Sequence, residues 1–130
     1  LQRCDGLHAI YMAGRSSNNT VVDNVFDGGC GDTVKVRDRS NFNTIERNSF
    51  SRQSGRSLFV DSFCDSRKRD ECQGDRGECP SWGNVFRSNR VDQESKSSVK
   101  FIQHSVGASN VPGCPVPPGG ASAARIVADH

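Results

Sequence analysis

Two segments of this chain repeat the same residue pattern 24 positions apart. HAIYMAGRSSNNTVVDNVF (8–26) aligns without a gap on DTVKVRDRSNFNTIERNSF (32–50), and both end in an Asn-Thr pair, a second Asn and a Phe. A period between about 20 and 50 residues is typical of arrays in which each repeat is one structural unit stacked on the next. The alignment pairs Ile10 with Val34, Met12 with Val36, Ser16 with Ser40, Thr20 with Thr44, Asn24 with Asn48 and Phe26 with Phe50.

The pattern continues through the rest of the chain with two interruptions. SLFVDSF (57–63) begins a third repeat at the same spacing of 24 positions, with Leu58 and Val60 at its apolar positions. SVKFIQH (98–104) and RIVADH (125–130) follow SLFVDSF and NVFRSN at a longer offset of 41 positions, so 17 extra positions separate the repeats. Two loop insertions are therefore predicted, at about 64–82 and 105–124. GNVFRSNRV (83–91) arrives at the same longer offset and matches Asn84 with Asn43, Phe86 with Ile45, Asn89 with Asn48 and Val91 with Phe50.

Composition favours short strands joined by turns. Only 33% of the residues are hydrophobic, and the chain contains 13 Gly. No segment has the 3.6-residue periodicity of an amphipathic helix. Each repeat instead contains two short apolar segments with Asn and Gly at the joints, which predicts a solenoid of strands. The length of 130 residues corresponds to a single domain, 1–130.

The alternating strand, the polar turn and the motif N-T-V/I-x-x-N-x-F resemble the repeats of right-handed parallel β-helix proteins of the pectate-lyase-like family. The resemblance runs from about residue 7 to the end of the chain, and it implies a little over four coils of about 24 residues. Lyases and epimerases of this architecture use acidic calcium ligands and a basic residue, and related hydrolases use clustered Asp residues. No such catalytic motif is found in this sequence, so no catalytic residue, calcium site or other cofactor is predicted, and enzyme activity stays an open question.

The repeated asparagines have a structural explanation. Equivalent residues of stacked coils lie one strand spacing apart, about 4.8 Å, and form columns along the axis. Where the chain turns, an inward Asn can both donate to and accept from backbone groups that no strand pairing satisfies. We expect one ladder of Asn24, Asn48 and Asn89, and a second of Asn19, Asn43 and Asn84. Asn18 begins the sequon Asn-Asn-Thr and is a candidate glycosylation site.

The six cysteines indicate disulfides and hence an oxidising, extracellular compartment. The rival interpretation, a zinc site at Cys64, Cys72 and Cys79, is disfavoured because these residues are not the close pairs of zinc ribbons and fingers. No metal site is predicted. Six cysteines allow about 15 connectivities. The repeat register favours the pairs Cys4–Cys30, Cys72–Cys114 and Cys64–Cys79.

Outward residues of the first strand of each repeat form a candidate binding surface. Because alternate residues of a strand face opposite sides, the inward Val34 and Val36 leave Lys35 and Arg37 outward. Aromatic and basic side chains on a flat sheet suit a sugar chain with uronate carboxylates. The competing interpretation is structural, with Arg37 and Asp61 forming a surface ion pair. The predicted columns are Tyr11, Lys35, Phe59 and Lys100, and beside them Ala13, Arg37, Asp61 and Ile102.

The expected partner is therefore an acidic polysaccharide, which the protein binds or cleaves, and the alternative is a structural or adhesive extracellular solenoid without activity. The formal net charge of +2, from 17 basic and 15 acidic residues that are interspersed, gives no reason to expect nucleic acid or membrane binding. The chain begins within a repeat at LQRCDGL and ends in mid-strand at RIVADH. Exposed core and strand edges at such ends predict that the 130 residues are a fragment of a longer chain, or a unit capped by another molecule, and that the isolated piece associates end to end or aggregates.

Overall fold

A computed structural model of the chain describes residues 6–53, 57–74, 77–92, 100–104, 111–119 and 126–129, with the backbone alone for 100–104 and 126–129. The described part contains strands and a short 3₁₀ turn at Asp70–Cys72. The strands are β1 (Ile10–Met12), β2 (Thr20–Val22), β3 (Val25–Gly29), β4 (Val34–Arg37), β5 (Thr44–Glu46), β6 (Ser49–Gln53), β7 (Ser57–Ser62), β8 (Asn84–Arg87), β9 (Arg90–Val91), β10 (Lys100–His104) and β11 (Ile126–Asp129).

The strands form three sheets in which every pairing is parallel. Their orders are β1-β4-β7-β10, β11-β8-β5-β2 and β3-β6-β9. Strands that are consecutive in the chain thus belong to different sheets, and each strand pairs with its counterpart from the next repeat. The fold is all-β with a solenoid-like parallel arrangement.

Each of the first three repeats contributes three strands to the described part of the chain, which corrects the expectation of two. The predicted second segment, NTVVDNVF, is divided into β2 and β3 at Asp23 and Asn24. Asp23 has a φ of 58°, in the left-handed region, which turns the chain sharply between the two strands. Short polar residues tolerate this conformation better than β-branched ones, and the sequence places Asp and Asn there.

The predicted register holds in the second sheet from β2 to β8 and in the third sheet. Thr20 pairs with Thr44 and Phe26 with Phe50. Beyond the first loop, the longer predicted offset brings Phe86 beside Ile45 and Val91 beside Phe50. These rows of aligned residues run through successive repeats, as expected for stacked units.

The predicted register of the first sheet is wrong beyond β4. Val34 pairs with Phe59, one position later than the predicted partner Leu58. Ile102 pairs with Phe59, two positions away from the predicted alignment. In the second sheet, the last pairing also departs from the prediction, because Ile126 pairs with Asn84, one position away from the predicted alignment. Turn lengths between strands vary by one or two residues, and strand β7 is buried on both faces, so its sequence carries no alternation that would reveal the shift.

The interior is filled by apolar columns. Phe26 stacks on Phe50 with ring centroids 4.9 Å apart, and Phe86 lies 5.9 Å from Phe50 and 5.5 Å from Phe59. A smaller cluster of Phe63 and Val111 packs with Cys114 in the loop region. The main buried cluster consists of Met12, Val34, Val36, Ile45, Phe50, Leu58, Phe59 and Phe86.

Two asparagine ladders cross the turns. The Oδ1 atom of Asn48 accepts from the backbone N–H and the Nδ2 of Asn24, at 3.0 and 3.1 Å. The Nδ2 of Asn48 donates to the Val21 carbonyl and to Asn89 Oδ1. The same geometry recurs at Asn19, Asn43 and Asn84.

The residue before each ladder asparagine is in the left-handed region, so the turns themselves are stacked. This conformation costs an L-residue roughly 1 to 2 kcal/mol. The asparagine that follows bonds the backbone groups that the turn leaves unpaired, which offsets that cost. The residues are Asn18, Phe42 and Gly83 before one ladder, and Asp23, Arg47 and Ser88 before the other.

Candidate functional site

The outward faces of β1 and β4, in the first sheet, carry an aromatic and basic cluster. Tyr11 and Lys35 are register partners, and Tyr11 is 53% exposed. The Lys35 Nζ lies 5.9 Å from the centroid of the Tyr11 ring, and the His8 ring stacks on Tyr11 at 5.5 Å. We call His8, Tyr11, Lys35 and Arg37 the Tyr11–Lys35 cluster.

Lys35 keeps its positive charge available in this cluster. Its neighbour is a neutral ring, which holds the ammonium group by a cation–π interaction without neutralising it. Among the described residues, no carboxylate forms an ion pair with Lys35. Lys35 can therefore meet an anionic group of a ligand.

Arg37 is held differently, by a carboxylate of the first loop. Its Nε donates to both Glu78 oxygens, 2.8 Å from Oε2, and Glu78 also accepts from the backbone N–H of Cys64. The hydrogen bond to Glu78 raises the pKa of Arg37 above its usual range. Arg37 is thus a fixed, charge-compensated member of the cluster.

Glu78 is a residue of this surface that sequence reasoning missed. The signal that could have found it is the repeat offset, because Glu78 follows Arg37 at the same separation as that between Asn48 and Asn89. The loop around it contains many charges, so no single carboxylate stood out.

Phe59 and Asp61 do not belong to the exposed columns, which corrects two predicted binding residues. Both are fully buried, and Phe59 pairs with the inward Val34 and Asp61 with the inward Val36. A register shift of one residue moves every side chain of a strand to the opposite face. The neighbours of Lys35 and Arg37 in the next strand are therefore Val60 and Ser62.

Lys100 does not continue the Tyr11–Lys35 column. Its backbone pairs with Ser57, two residues before Phe59, so the predicted alignment of Lys100 with Phe59 is wrong. The Lys100 side chain lies outside the described residues. Of the six predicted binding residues, the structure brings together Tyr11, Lys35 and Arg37.

Two of the three predicted disulfides are wrong. Cys64 bonds Cys72 within the first loop, and Cys79 bonds Cys114 across the two loops. The register argument failed because it treated the first loop as if it stacked like a coil. Instead the loop folds back through the 3₁₀ turn that contains Cys72. Cys79 lies at the end of this loop, where its backbone N–H donates to Asp38 Oδ1.

The third predicted disulfide involves Cys4, which lies outside the described residues, whereas Cys30 is disulfide-bonded. Disulfides fit an oxidising compartment. Asn18, the candidate glycosylation site, is exposed in a turn with a φ of 61°, and Thr20 of the sequon is exposed as well. Glycosylation there stays a prediction.

The first loop carries a carboxylate with a lowered pKa. The Asp65 side chain, 8% exposed, accepts from the guanidinium and the backbone N–H of Arg67, and these bonds lower the pKa of Asp65 to about 2.

We expect the Asp65–Arg67 interaction to stabilise this loop fully above pH about 4, the range of an unperturbed Asp. The stabilisation is lost as the pH falls towards 2, because protonation of Asp65 removes the charge that Arg67 holds. A ¹³C NMR titration of the Asp65 carboxyl group measures this directly. A midpoint near that of a free Asp contradicts the assignment.

Within the described ranges no group of three or more His, Cys, Asp and Glu side chains is placed to hold a metal ion. No helix in this part of the chain is long and apolar enough to cross a lipid bilayer. Comparison of the chain with protein-family models, with curated proteins and with solved structures found no match.

Proposed function

We propose that this chain is an extracellular, right-handed parallel β-helix of the pectate-lyase-like kind that binds an acidic polysaccharide on its Tyr11–Lys35 cluster. Three parallel sheets, the two asparagine ladders and the disulfides support this assignment. The observation that carries the binding proposal is the Lys35 ammonium group held over the exposed Tyr11 ring.

The chemistry of the cluster suits a uronate-containing chain. A carboxylate of the ligand meets Lys35 in a charge-assisted hydrogen bond, and the exposed Tyr11 side chain offers apolar contact to a sugar ring. Arg37 contributes less, because Glu78 already occupies its Nε. Tyr11 and Lys35 are partners on adjacent parallel strands about 4.8 Å apart, so one sugar unit can contact both side chains.

The proposal is for binding and includes no cleavage step. Acid–base cleavage needs a titratable group within hydrogen-bond reach of the bond that breaks. Asp61, the carboxylate that the sequence places on this surface, is buried in the interior column instead.

A structural role is the second candidate, and the ion pairs between repeats favour it. Asp23 pairs with Arg47, Glu46 with Arg87, and Asp27 with Arg52. Each pair joins successive repeats and compensates surface charge that a ligand would otherwise use. A solenoid whose charges serve mainly to join its own coils acts as a rod or an adhesive scaffold.

Replacement of Lys35 by glutamine separates the two candidates. If the cluster binds uronates, Lys35→Gln weakens binding of an oligogalacturonate about tenfold, which is the effect of losing one charge-assisted contact. The matched control is Lys68→Gln, because Lys68 is an exposed loop lysine outside the cluster. Isothermal titration calorimetry at two salt concentrations measures the affinities.

The structural candidate predicts a different pattern. Equal affinity for oligogalacturonate and a neutral oligosaccharide of the same length, or equal affinity of the Lys35 and Lys68 variants, contradicts uronate binding at the cluster. Uronate binding at the cluster is supported if the affinity depends less on salt in Lys35→Gln and its salt dependence is unchanged in Lys68→Gln. Each lost charge contact removes part of the salt dependence of the affinity.

A further inference from the structure

The turn between β1 and β2 presents an asparagine whose side chain the fold does not use. Asn18 is exposed, its backbone N–H donates to the Asn41 carbonyl, and within the described residues no hydrogen bond involves its side chain. The six ladder asparagines differ, because the side-chain amide of each donates a hydrogen bond. Asn18 also begins the only Asn-x-Ser/Thr sequon in the 130-residue sequence.

Asn18 lies in a row of stacked turn residues that includes an exposed aromatic side chain. Asn18, Phe42 and Gly83 occupy equivalent positions, with φ values of 61°, 57° and 68°. Backbone bonds from the Asn18 N–H to Asn41 and from the Phe42 N–H to Trp82 join the three turns. Because the turns share one conformation and successive strands lie about 4.8 Å apart, the side chains of Asn18 and Phe42 leave the backbone as neighbours.

Phe42 is an uncommon residue for such a turn. A left-handed backbone disfavours a bulky side chain, whereas Asn and Gly, at the equivalent positions, tolerate it. The ring covers Gly83, since a Cβ built on Gly83 would lie 2.5 Å from Phe42 Cδ1, and Phe42 is still 49% exposed. Asn18 and Gly83 flank Phe42 on opposite sides of the row, so a group attached to Asn18 approaches the side that Gly83 leaves open.

We propose that Asn18 carries an N-linked glycan whose first N-acetylglucosamine packs against the Phe42 ring. A pyranose ring has an apolar face, and the acetamido group of this sugar adds a methyl group, so both suit contact with an aromatic side chain. The inference rests on the extracellular location in the proposed function and not on the binding of an acidic polysaccharide.

The attachment is a group transfer from a lipid-pyrophosphate-linked oligosaccharide. A bond forms between Asn18 Nδ2 and the anomeric carbon of the first sugar, the bond from that carbon to the pyrophosphate oxygen breaks, and the lipid pyrophosphate leaves. The amide loses one of its two hydrogens as a proton and keeps the other. Thr20, the third residue of the sequon, is exposed as well, so neither residue is withheld by the fold.

Secretion of the full chain from a eukaryotic host that N-glycosylates its proteins tests the attachment. Enzymatic release of the glycan in ¹⁸O-labelled water is expected to convert Asn18 to a labelled Asp, which peptide mass spectrometry detects. Thr20→Ala is expected to abolish the modification while leaving Asn18 in its turn, and the matched control Thr20→Ser keeps the sequon and retains the modification. A secreted chain in which Asn18 is unmodified overturns the proposal.

Proton NMR of the glycosylated chain tests the contact with Phe42. The ring current of Phe42 is expected to move the acetamido methyl signal of the first sugar upfield from its position in a glycosylated Asn-Asn-Thr peptide. Phe42→Leu is expected to return the signal to the peptide position, whereas Tyr11→Leu, which removes an exposed ring outside the row, leaves it shifted.

A methyl signal at the peptide position in the glycosylated wild-type chain overturns the packing, and this measurement stands even if Phe42→Leu fails to fold. A shift that persists in folded Phe42→Leu overturns it too. Neither readout uses an acidic polysaccharide. Failure here combined with oligogalacturonate binding that Lys35→Gln weakens would therefore count against the glycan at Asn18 alone.

Discussion

Phe59→Ala is expected to lower the free energy of unfolding by about 3 to 5 kcal/mol, the range for truncating a buried Phe. Phe59 is fully buried, lies 5.5 Å from Phe86 and pairs with the interior Val34. This decrease in the free energy of unfolding has two causes. Alanine buries less apolar area than phenylalanine, and the neighbouring side chains cannot fill the cavity that remains. Urea denaturation followed by circular dichroism measures it.

The control for Phe59 is another phenylalanine of this chain. Phe42 is 49% exposed, so Phe42→Ala is expected to cost less than about 1 kcal/mol, as surface substitutions generally do. Equal midpoints for the two variants contradict the register of β4 and β7 in which Val34 pairs with Phe59. They instead favour the predicted register, in which Phe59 faces the solvent.

Asn48→Ala is expected to lower the free energy of unfolding by about 1 to 3 kcal/mol. Asn48 is 1% exposed, and alanine removes the acceptor of the Asn24 backbone N–H and the donor to the Val21 carbonyl. Asn89 Oδ1 loses one of its two donors as well.

Asn24→Ala is the matched control, because Asn24 belongs to the same ladder but is exposed. Water can replace its hydrogen bonds, so a cost well below that of Asn48→Ala is expected. Equal costs for the two substitutions mean that burial in the ladder contributes nothing to stability.

The repeat was readable from the sequence because its signals are local and frequent. Asn24, Asn48 and Asn89 and the phenylalanine row recur at fixed offsets, and each occupies a turn or an interior position that admits few other residues. Those constraints place β2, β5 and β8 of the second sheet and all of the third sheet in the predicted register.

The full set of predicted binding residues was harder to place, because the position of Phe59 and Asp61 depends on how strand β7 pairs with β4. Leu58, Phe59 and Val60 are all buried, so alternation between faces is hidden. A single extra residue between Val34 and Phe59 then moved Phe59 and Asp61 from the predicted surface to the interior.

Contacts made by the loops could not be predicted from the repeat pattern either. Neither the pairing of Cys64 with Cys72 nor the contact between Glu78 and Arg37 follows from strand alternation. Tyr11 and Lys35 were placed correctly because β1 and β4 precede the first loop, where the offset is still that of the first two repeats.

The most direct measurement of acidic-glycan binding is a ¹H–¹⁵N NMR titration with oligogalacturonate and, separately, a neutral oligosaccharide of equal length. The account predicts shifts that concentrate at Tyr11, Lys35 and Arg37, which lie together on the outward face of β1 and β4, and only with the acidic chain. Acidic-glycan binding at this face would be contradicted if both oligosaccharides shifted the protein signals equally. It would also be contradicted if the acidic oligosaccharide shifted only signals of residues away from this face.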